Sequence, residues 1–229
     1  MRRILAVFLS ILLLPLPVKA AETKYVALTF DDGPSGKYTR ALLEGLEERG
    51  VKATFLLCGY RMQEYPDIAQ QIFDEGHEIG YHGYSHDSMK DMSRRDIARE
   101  LDDSRALLPE GCYPVFLRPP GGCCSDAVRQ VAQVRGLSIL SWSVDPRDWA
   151  TRDTVAVERK VLNQVQDGDI VLLHDMRSSS VTAALAIIDS LIAQGFEFVT
   201  VSQLAKLRNT RLKPGQTYKA FPKPEEKVK

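Results

Sequence analysis

Short apolar runs alternate with amphipathic stretches along most of the chain. Seven runs of apolar, β-branched or aromatic residues predict β-strands. Between them, apolar residues recur at helical spacing, and several of these stretches stop at a glycine, which is favoured just after a helix. The predicted strands are Tyr25–Phe30, Val51–Leu57, His77–Gly80, Pro114–Leu117, Leu137–Trp142, Ile170–Leu173 and Phe196–Thr200.

Strands that alternate with helices predict an α/β fold around a parallel sheet. About seven parallel strands form either a distorted, incomplete (β/α) barrel or an open, doubly wound sheet, and the pattern alone leaves both open. Both architectures place their functional sites at the carboxyl ends of the strands. We predict one domain over residues 24–207.

The first twenty residues have the order of a secretory signal. Arg2 and Arg3 precede the apolar run Ile4–Leu14, and Val18-Lys19-Ala20 offers small residues for a signal peptidase. An uncleaved membrane anchor is the alternative, but a bilayer needs about 20 apolar residues. We therefore predict a signal peptide over residues 1–20, export to the cell envelope or the medium, and no stable membrane span after cleavage.

The last segment, residues 208–229, breaks the alternating pattern. Residues 209–229 contain six Lys or Arg, two Glu and three Pro, for a net charge of +4. We predict a loose, basic, solvated tail, since short charge runs usually are that. Weak attraction to an anionic envelope polymer is the alternative.

Charge and composition exclude two classes of protein. The chain has 229 residues with 30 Lys+Arg and 30 Asp+Glu, so it lacks the basic excess of a nucleic-acid binder. Its 44% hydrophobic content excludes a disordered chain. Without residues 1–20 the count becomes 27 basic and 30 acidic, a net charge of −3.

Ionisable residues follow five of the predicted strands, and parallel strands end on one rim. His82 and His86 are four residues apart, so in a helix or a tight turn they could bind one metal ion. With a carboxylate from another strand they would form a two-histidine, one-carboxylate site that suits Zn, Co, Ni or Fe. His77 starts its strand, on the opposite rim, and is predicted to be structural. The rim residues are Asp31, Asp32, His82, His86, Arg118, Asp145, Asp148, Trp149 and His174.

Taken singly, these features also have ordinary explanations. Asp32-Gly33-Pro34 is common turn chemistry, and His174 could be a hydrogen-bonded core histidine. Trp149 could be a core tryptophan. Only their coincidence on one rim favours a site.

Five segments in order resemble the motifs of the NodB-homology polysaccharide deacetylases, the family-four carbohydrate esterases. They span nearly the whole predicted domain, and the resemblance implies the incomplete barrel. The segments are Thr29-Phe30-Asp31-Asp32-Gly33-Pro34, His82-Gly83-Tyr84-Ser85-His86, Arg118-Pro119-Pro120-Gly121-Gly122, Asp145-Pro146-Arg147-Asp148-Trp149 and Leu172-Leu173-His174-Asp175.

The resemblance implies a role for each motif. Asp32, His82 and His86 would hold one divalent metal ion, with Zn first and Co, Ni or Fe possible. Asp31 would be the base, held ionised by Arg118.

The same resemblance assigns the acid and the substrate contacts. His174 would be the acid, oriented by Asp148. The Gly121 N–H would face the reaction's oxyanion, and Trp149 and Leu172 would contact the substrate.

Two positions depart from the family pattern. Gly83 replaces a Ser or Thr, which removes a hydroxyl from the metal loop. Gly121 replaces an aromatic residue, so the N–H remains while a side-chain contact with sugar is lost.

These residues predict an exported, metal-dependent, monomeric N-deacetylase of N-acetylated polysaccharides. Peptidoglycan is the first candidate substrate and chitin-type oligosaccharide the second. A catalytically silent carbohydrate-binding relative is one alternative. A metal-dependent hydrolase of acetyl esters or non-sugar amides is the other.

The four cysteines leave several pairings open. Cys58, Cys123 and Cys124 follow strands on the predicted rim, whereas Cys112 precedes a strand on the other side. This favours, weakly, a disulfide from Cys58 to Cys123 or Cys124. Free thiols are the equal alternative.

Overall fold

The computed structural model describes residues 22–224, so the predicted signal peptide lies outside the described residues. Within this range, no helix is long and apolar enough to cross a membrane. The strands are β1 (Lys24–Asp31), β2 (Thr54–Leu57), β3 (Glu78–Tyr81), β4 (Phe116–Leu117), β5 (Ser138–Leu140), β6 (Asp169–His174), β7 (Phe196–Phe198) and β8 (Thr217–Tyr218). The α-helices are α1 (Gly36–Glu48), α2 (Gly59–Glu64), α3 (Pro66–Asp74), α4 (Arg94–Arg105), α5 (Asp126–Val134), α6 (Thr154–Leu162), α7 (Ser178–Ala193) and α8 (Val201–Leu207).

The strands form one parallel sheet that curls into an incomplete barrel. Their order is β6-β1-β2-β3-β4-β5-β8, and β7 pairs with the first half of β1. Beyond β5, a single parallel bridge from Val144 to Val171 of β6 brings the two sides of the sheet together. The predicted distorted (β/α) barrel is therefore confirmed, and the open doubly wound alternative is wrong.

Alternation along β1 separates the outer layer from the barrel interior. Val26, Leu28 and Phe30 pack in the larger core cluster with the surrounding helices. Ala27 instead belongs to the cluster that contains Leu204 of α8. Because successive side chains of a strand point to opposite faces, Asp31 at the end of β1 lies on the same face as Ala27.

The C-terminal segment differs from the prediction of a loose tail. Within the described residues 208–224, β8 pairs in parallel with β5, and Phe221 is 2% exposed. Phe221 stacks on Tyr218, and both pack in the interior cluster of β1 and α8. Two isolated aromatic residues among prolines and lysines make no periodic pattern, so nothing in the sequence predicts that this segment packs on the sheet.

The described residues contain no disulfide, so the weakly favoured Cys58 pairing is wrong and all four cysteines are free. Cys58 is fully buried at the start of α2, whereas Cys123 is exposed. A shared rim is therefore not enough to bring the thiols together. Burial also raises the pKa of the Cys58 thiol well above its usual value.

We predict that Phe221→Ala destabilises the whole domain. Removing a buried phenylalanine side chain costs about 3–5 kcal/mol, because transfer energy and packing are both lost. Chemical denaturation of Phe221→Ala, with Lys219→Ala at an exposed position as control, measures this. Equal stability of the two variants would show that the segment does not pack.

Candidate active site

The ends of neighbouring strands bring the predicted rim residues together. β1 and β6 pair so that Asp31 lies opposite His174. His82 follows β3 directly, and Arg118 follows β4. Asp148 comes from a short 3-10 turn, Asp148–Ala150, that packs near the end of β6.

A cavity of about 380 Å³ opens at this rim. Arg118 and Asp148 lie behind its wall, almost fully buried, against Asp31 and His174 respectively. Sequence reasoning missed Trp142 and Gly122, although Trp142 ends a predicted strand and could have been found there. The cavity is lined by Asp31, Asp32, His82, His86, Gly121, Gly122, Trp142, Asp145, Trp149, Leu172 and His174.

Asp32, His82 and His86 form a compact group, which we refer to as the ligand cluster. Asp32 Oδ1 lies 3.2 Å from His82 Nε2 and 3.0 Å from His86 Nε2. One ligand atom from each residue lies within 4.8 Å of the others. The segment between the histidines is a turn in which His86 has a φ of 67°, so the four-residue spacing acts through a turn and not a helix.

The hydrogen bonds around the ligand cluster fit a divalent cation. His82 Nδ1 lies 2.7 Å from the carbonyl oxygen of Arg118, which only accepts, so Nδ1 carries the proton. The lone pair of His82 Nε2 therefore faces Asp32, whose buried Oδ1 has no hydrogen-bond partner among the described residues. Two imidazole nitrogens and one carboxylate, converging in this way, suit Zn or a similar ion.

Asp32 is ionised in this environment. Burial alone would raise the pKa of its carboxyl, but the His82 and His86 rings beside it outweigh burial and hold the pKa well below its usual value.

Asp31 is held in place by a buried guanidinium. Arg118 Nη1 donates to Asp31 Oδ1 at 2.6 Å and to Thr29 Oγ1 at 2.9 Å, and Nη2 donates to the Ser141 carbonyl. Arg118 is fully buried, and charged hydrogen bonds of this kind are short and strong. Asp31 Oδ2 remains 3.8 Å from His82 Nε2, next to the ligand cluster.

His174 is oriented by Asp148. The Asp148 carboxylate accepts from both the His174 backbone N–H (3.0 Å) and Nδ1 (2.8 Å). His174 Nε2 then lies 4.0 Å from Asp32 Oδ2, beside the ligand cluster. Burial lowers the pKa of His174, but the hydrogen bond and charge of Asp148 outweigh it and raise the pKa to about 9.

Trp149 and Gly121 form the outer edge of the cavity. Trp149 is 45% exposed, so the core-tryptophan alternative is wrong. The Arg147 guanidinium lies 5.1 Å above its ring. Gly121 has a φ of 67°, and a Cβ built there would meet no atom within 4 Å. The space of the family's aromatic side chain is therefore open in this chain.

Gly83 is required by its surroundings. Its φ is 81°, and a Cβ would lie 2.9 Å from Met89 Cε and 3.2 Å from Glu100 Oε2. Glu100 Oε2 accepts from the backbone N–H groups of Tyr84 (2.7 Å) and Ser85 (2.9 Å). A carboxylate from α4 thus holds the His82–His86 turn where the family pattern has a hydroxyl.

His77 lies away from this cavity, at the start of β3. It is buried, packs edge-on against Phe55, and accepts a hydrogen bond from the Ala53 N–H at 3.1 Å. Burial lowers the pKa of His77 to about 4, so the ring is neutral and structural.

Comparisons with known proteins agree with this geometry. The family model described as polysaccharide deacetylase matches residues 19–140. A peptidoglycan-N-acetylglucosamine deacetylase of Bacillus cereus is 38% identical over 192 residues, 81% of this chain and 90% of the relative. The peptidoglycan-N-acetylglucosamine deacetylase PgdA of Listeria monocytogenes is 37% identical over 188 residues, 81% of this chain, and the matched part spans only 40% of that relative.

A solved structure shares the fold as well. The family 4 acetyl xylan esterase from Clostridium thermocellum, in complex with a cobalt ion, superposes with a TM-score of 0.80 at 33% identity. The match covers 87% of this chain and 100% of that one. The family match, the sequence relatives and the shared fold together show that the chain belongs to the polysaccharide deacetylase family.

Proposed function

We propose that the chain is an exported, metal-dependent N-deacetylase of N-acetylated polysaccharides that releases acetate. Peptidoglycan is the first substrate we propose, because relatives with 37% and 38% identity carry that activity in their names. Chitin-type oligosaccharide is second. The observation that carries the proposal is that the Asp31–Arg118 pair and the His174–Asp148 pair both meet the ligand cluster in one cavity.

Asp32, His82 and His86 are the residues that would hold the ion. A divalent ion bound there would polarise the acetyl carbonyl and lower the pKa of a water molecule. The chain's own contribution is to present one carboxylate oxygen and two imidazole nitrogens that converge on one point. We propose Zn as the native ion, with Co, Ni or Fe as substitutes.

Asp31 is proposed to take the proton from the attacking water. The Arg118 guanidinium fixes Asp31 Oδ1 through a hydrogen bond, which leaves Oδ2 towards the ligand cluster. A base must lie within reach of the proton that it removes. The buried ion pair supplies that positioning.

His174 is proposed to protonate the departing nitrogen of the sugar. Asp148 occupies Nδ1, so the transferable proton sits on Nε2, the nitrogen that faces the ligand cluster. The Gly121 N–H would stabilise the oxyanion. Trp149 and Leu172 would then form apolar walls for the acetyl methyl group. The products are acetate and an amino sugar.

One second function has a specific observation in its favour. The acetyl xylan esterase that shares the fold acts, by its name, on acetyl esters. The same residues could hydrolyse an ester, since an alcohol is a better leaving group than an amine and needs less help from His174. An ester and an amide substrate therefore have to be compared.

We expect metal-loaded protein to release acetate from peptidoglycan fragments. Dialysis against a chelator should abolish release, and Zn²⁺ or Co²⁺ should restore it, because the ligand cluster would be empty and then refilled. Acetate assays on peptidoglycan, chitooligosaccharide and acetylated xylan, with metal content quantified, measure this. Release only from acetylated xylan would replace the deacetylase with the esterase, and no release from any substrate would contradict both.

Asp31→Asn should retain the metal and lose turnover. We expect kcat to fall by at least about 100-fold, since general-base catalysis typically contributes 10²–10⁴-fold. Asp126→Asn is the matched control, because Asp126 is exposed on α5 and does not line the cavity. Turnover of Asp31→Asn at the control's rate would remove Asp31 from the role of base.

Asp148→Asn should slow amide hydrolysis more than ester hydrolysis. Without the carboxylate, His174 loses the partner that favours its charged, proton-donating form. The ratio of amide to ester kcat, compared with that of Asp126→Asn, gives the effect. An unchanged ratio would mean that His174 does not protonate the leaving group.

A further inference from the structure

The carboxyl group of Asp175 is buried beside the site, and none of the proposed steps uses it. Asp175 follows His174 directly and is fully buried. Its Oδ2 accepts a hydrogen bond from the Thr39 hydroxyl on α1. Its Oδ1 is also buried and has no hydrogen-bond partner among the described residues.

The backbone of Asp175 is also hydrogen-bonded to the start of α1. Its carbonyl oxygen accepts from Ser35 Oγ at 2.7 Å. The Ser35 N–H donates to Thr39 Oγ1 at 2.6 Å, which links the two contacts. The residue after β6 therefore holds the start of α1 at two points, one through its side chain and one through its backbone.

Gly33 packs directly on the Asp175 carboxylate. A Cβ built on Gly33 would lie 2.7 and 2.8 Å from the two carboxylate oxygens, so only glycine leaves room. Gly33 is the neighbour of Asp32, and its carbonyl accepts from the Cys58 N–H at 3.0 Å. The turn that carries Asp32 is thus held between the start of α2 and the Asp175 carboxyl group.

Burying the Asp175 carboxyl group lowers the stability of the fold. Burial raises the pKa of Asp175 to about 7, because a carboxylate is poorly solvated there. A buried polar oxygen without a partner costs free energy that an apolar side chain would avoid. The Asp175 carboxyl does, however, connect the end of β6, which carries His174, to the turn that carries Asp32.

We propose that Asp175 is a positioning residue that fixes the Asp32 turn relative to His174. It would do so through Thr39, Ser35 and Gly33, without touching metal or substrate. The inference rests on the proposed function in that it takes Asp32 as a metal ligand and His174 as the acid. It predicts that the carboxyl group's shape and acceptor oxygen matter for metal binding.

The test is a Co²⁺ titration of the purified protein followed by its visible spectrum. Asp175→Ala should bind Co²⁺ at least about 10-fold more weakly, the usual scale for residues that support metal ligands. Asp175→Asn keeps the shape and the oxygen for Thr39, so it should stay close to wild type. Leu191→Ala, in the buried face of α7, is the control that lowers Tm without reaching the site.

A second variant tests whether Asp175 affects Co²⁺ binding through its contact with Thr39. Thr39→Val should weaken Co²⁺ binding in the same direction, and Asp175→Ala combined with Thr39→Val should be no worse than Asp175→Ala alone, because one interaction is removed twice. Co²⁺ affinity of Asp175→Ala equal to wild type would overturn the proposal. So would equal weakening in Leu191→Ala at the same loss of Tm.

Amide hydrogen exchange separates this proposal from the proposed function. In metal-free protein, peptides covering residues 32–39 should exchange faster in Asp175→Ala than in Leu191→Ala. Wild-type protein that binds no Co²⁺ would contradict the metal site, while the exchange result would still support or overturn the role of Asp175.

Discussion

A fully buried guanidinium is the constraint on which the rest of the site depends. Arg118, after β4, donates to Thr29 and Asp31 of β1 and to the carbonyl of Ser141 beyond β5. Leaving such a charge unpaired costs several kcal/mol, roughly 3–5 when a partner is removed, so these strand ends stay together. The carbonyl of Arg118 also accepts from His82. One residue thus links Asp31, His82 and the ends of β1, β3, β4 and β5.

Neighbouring groups, more than residue type, give each side chain its role. Asp31 and Asp32 are adjacent, yet one faces the buried guanidinium and the other faces two imidazole rings. His82 donates to a neutral carbonyl, which leaves its other nitrogen free as a metal ligand. His174 faces the Asp148 carboxylate, which favours the charged ring and suits an acid. Separating the environments of like groups in this way supports the acid, base and ligand roles that we propose.

The sequence predicts the strands and the rim well, because both follow from local pattern. Apolar runs mark the strands, and parallel strands must end on the same side of the sheet. Contacts made by isolated residues leave no such pattern. Tyr218 and Phe221 lie among lysines and prolines, so the sequence pattern does not predict that they are buried. Glu100 supports the Gly83 turn, and Asp175 supports the Asp32 turn. Each contact joins segments that only the fold brings together, so neither can be predicted from the sequence.

The most direct test of this account is an anomalous-difference map from crystals of the zinc-loaded protein. It should show one ion within about 2.0–2.2 Å of an Asp32 oxygen and the Nε2 atoms of His82 and His86. Asp31 should remain on Arg118 and outside the coordination sphere. A map with no ion at the ligand cluster, or with Asp31 bound to the ion and separated from Arg118, would contradict it.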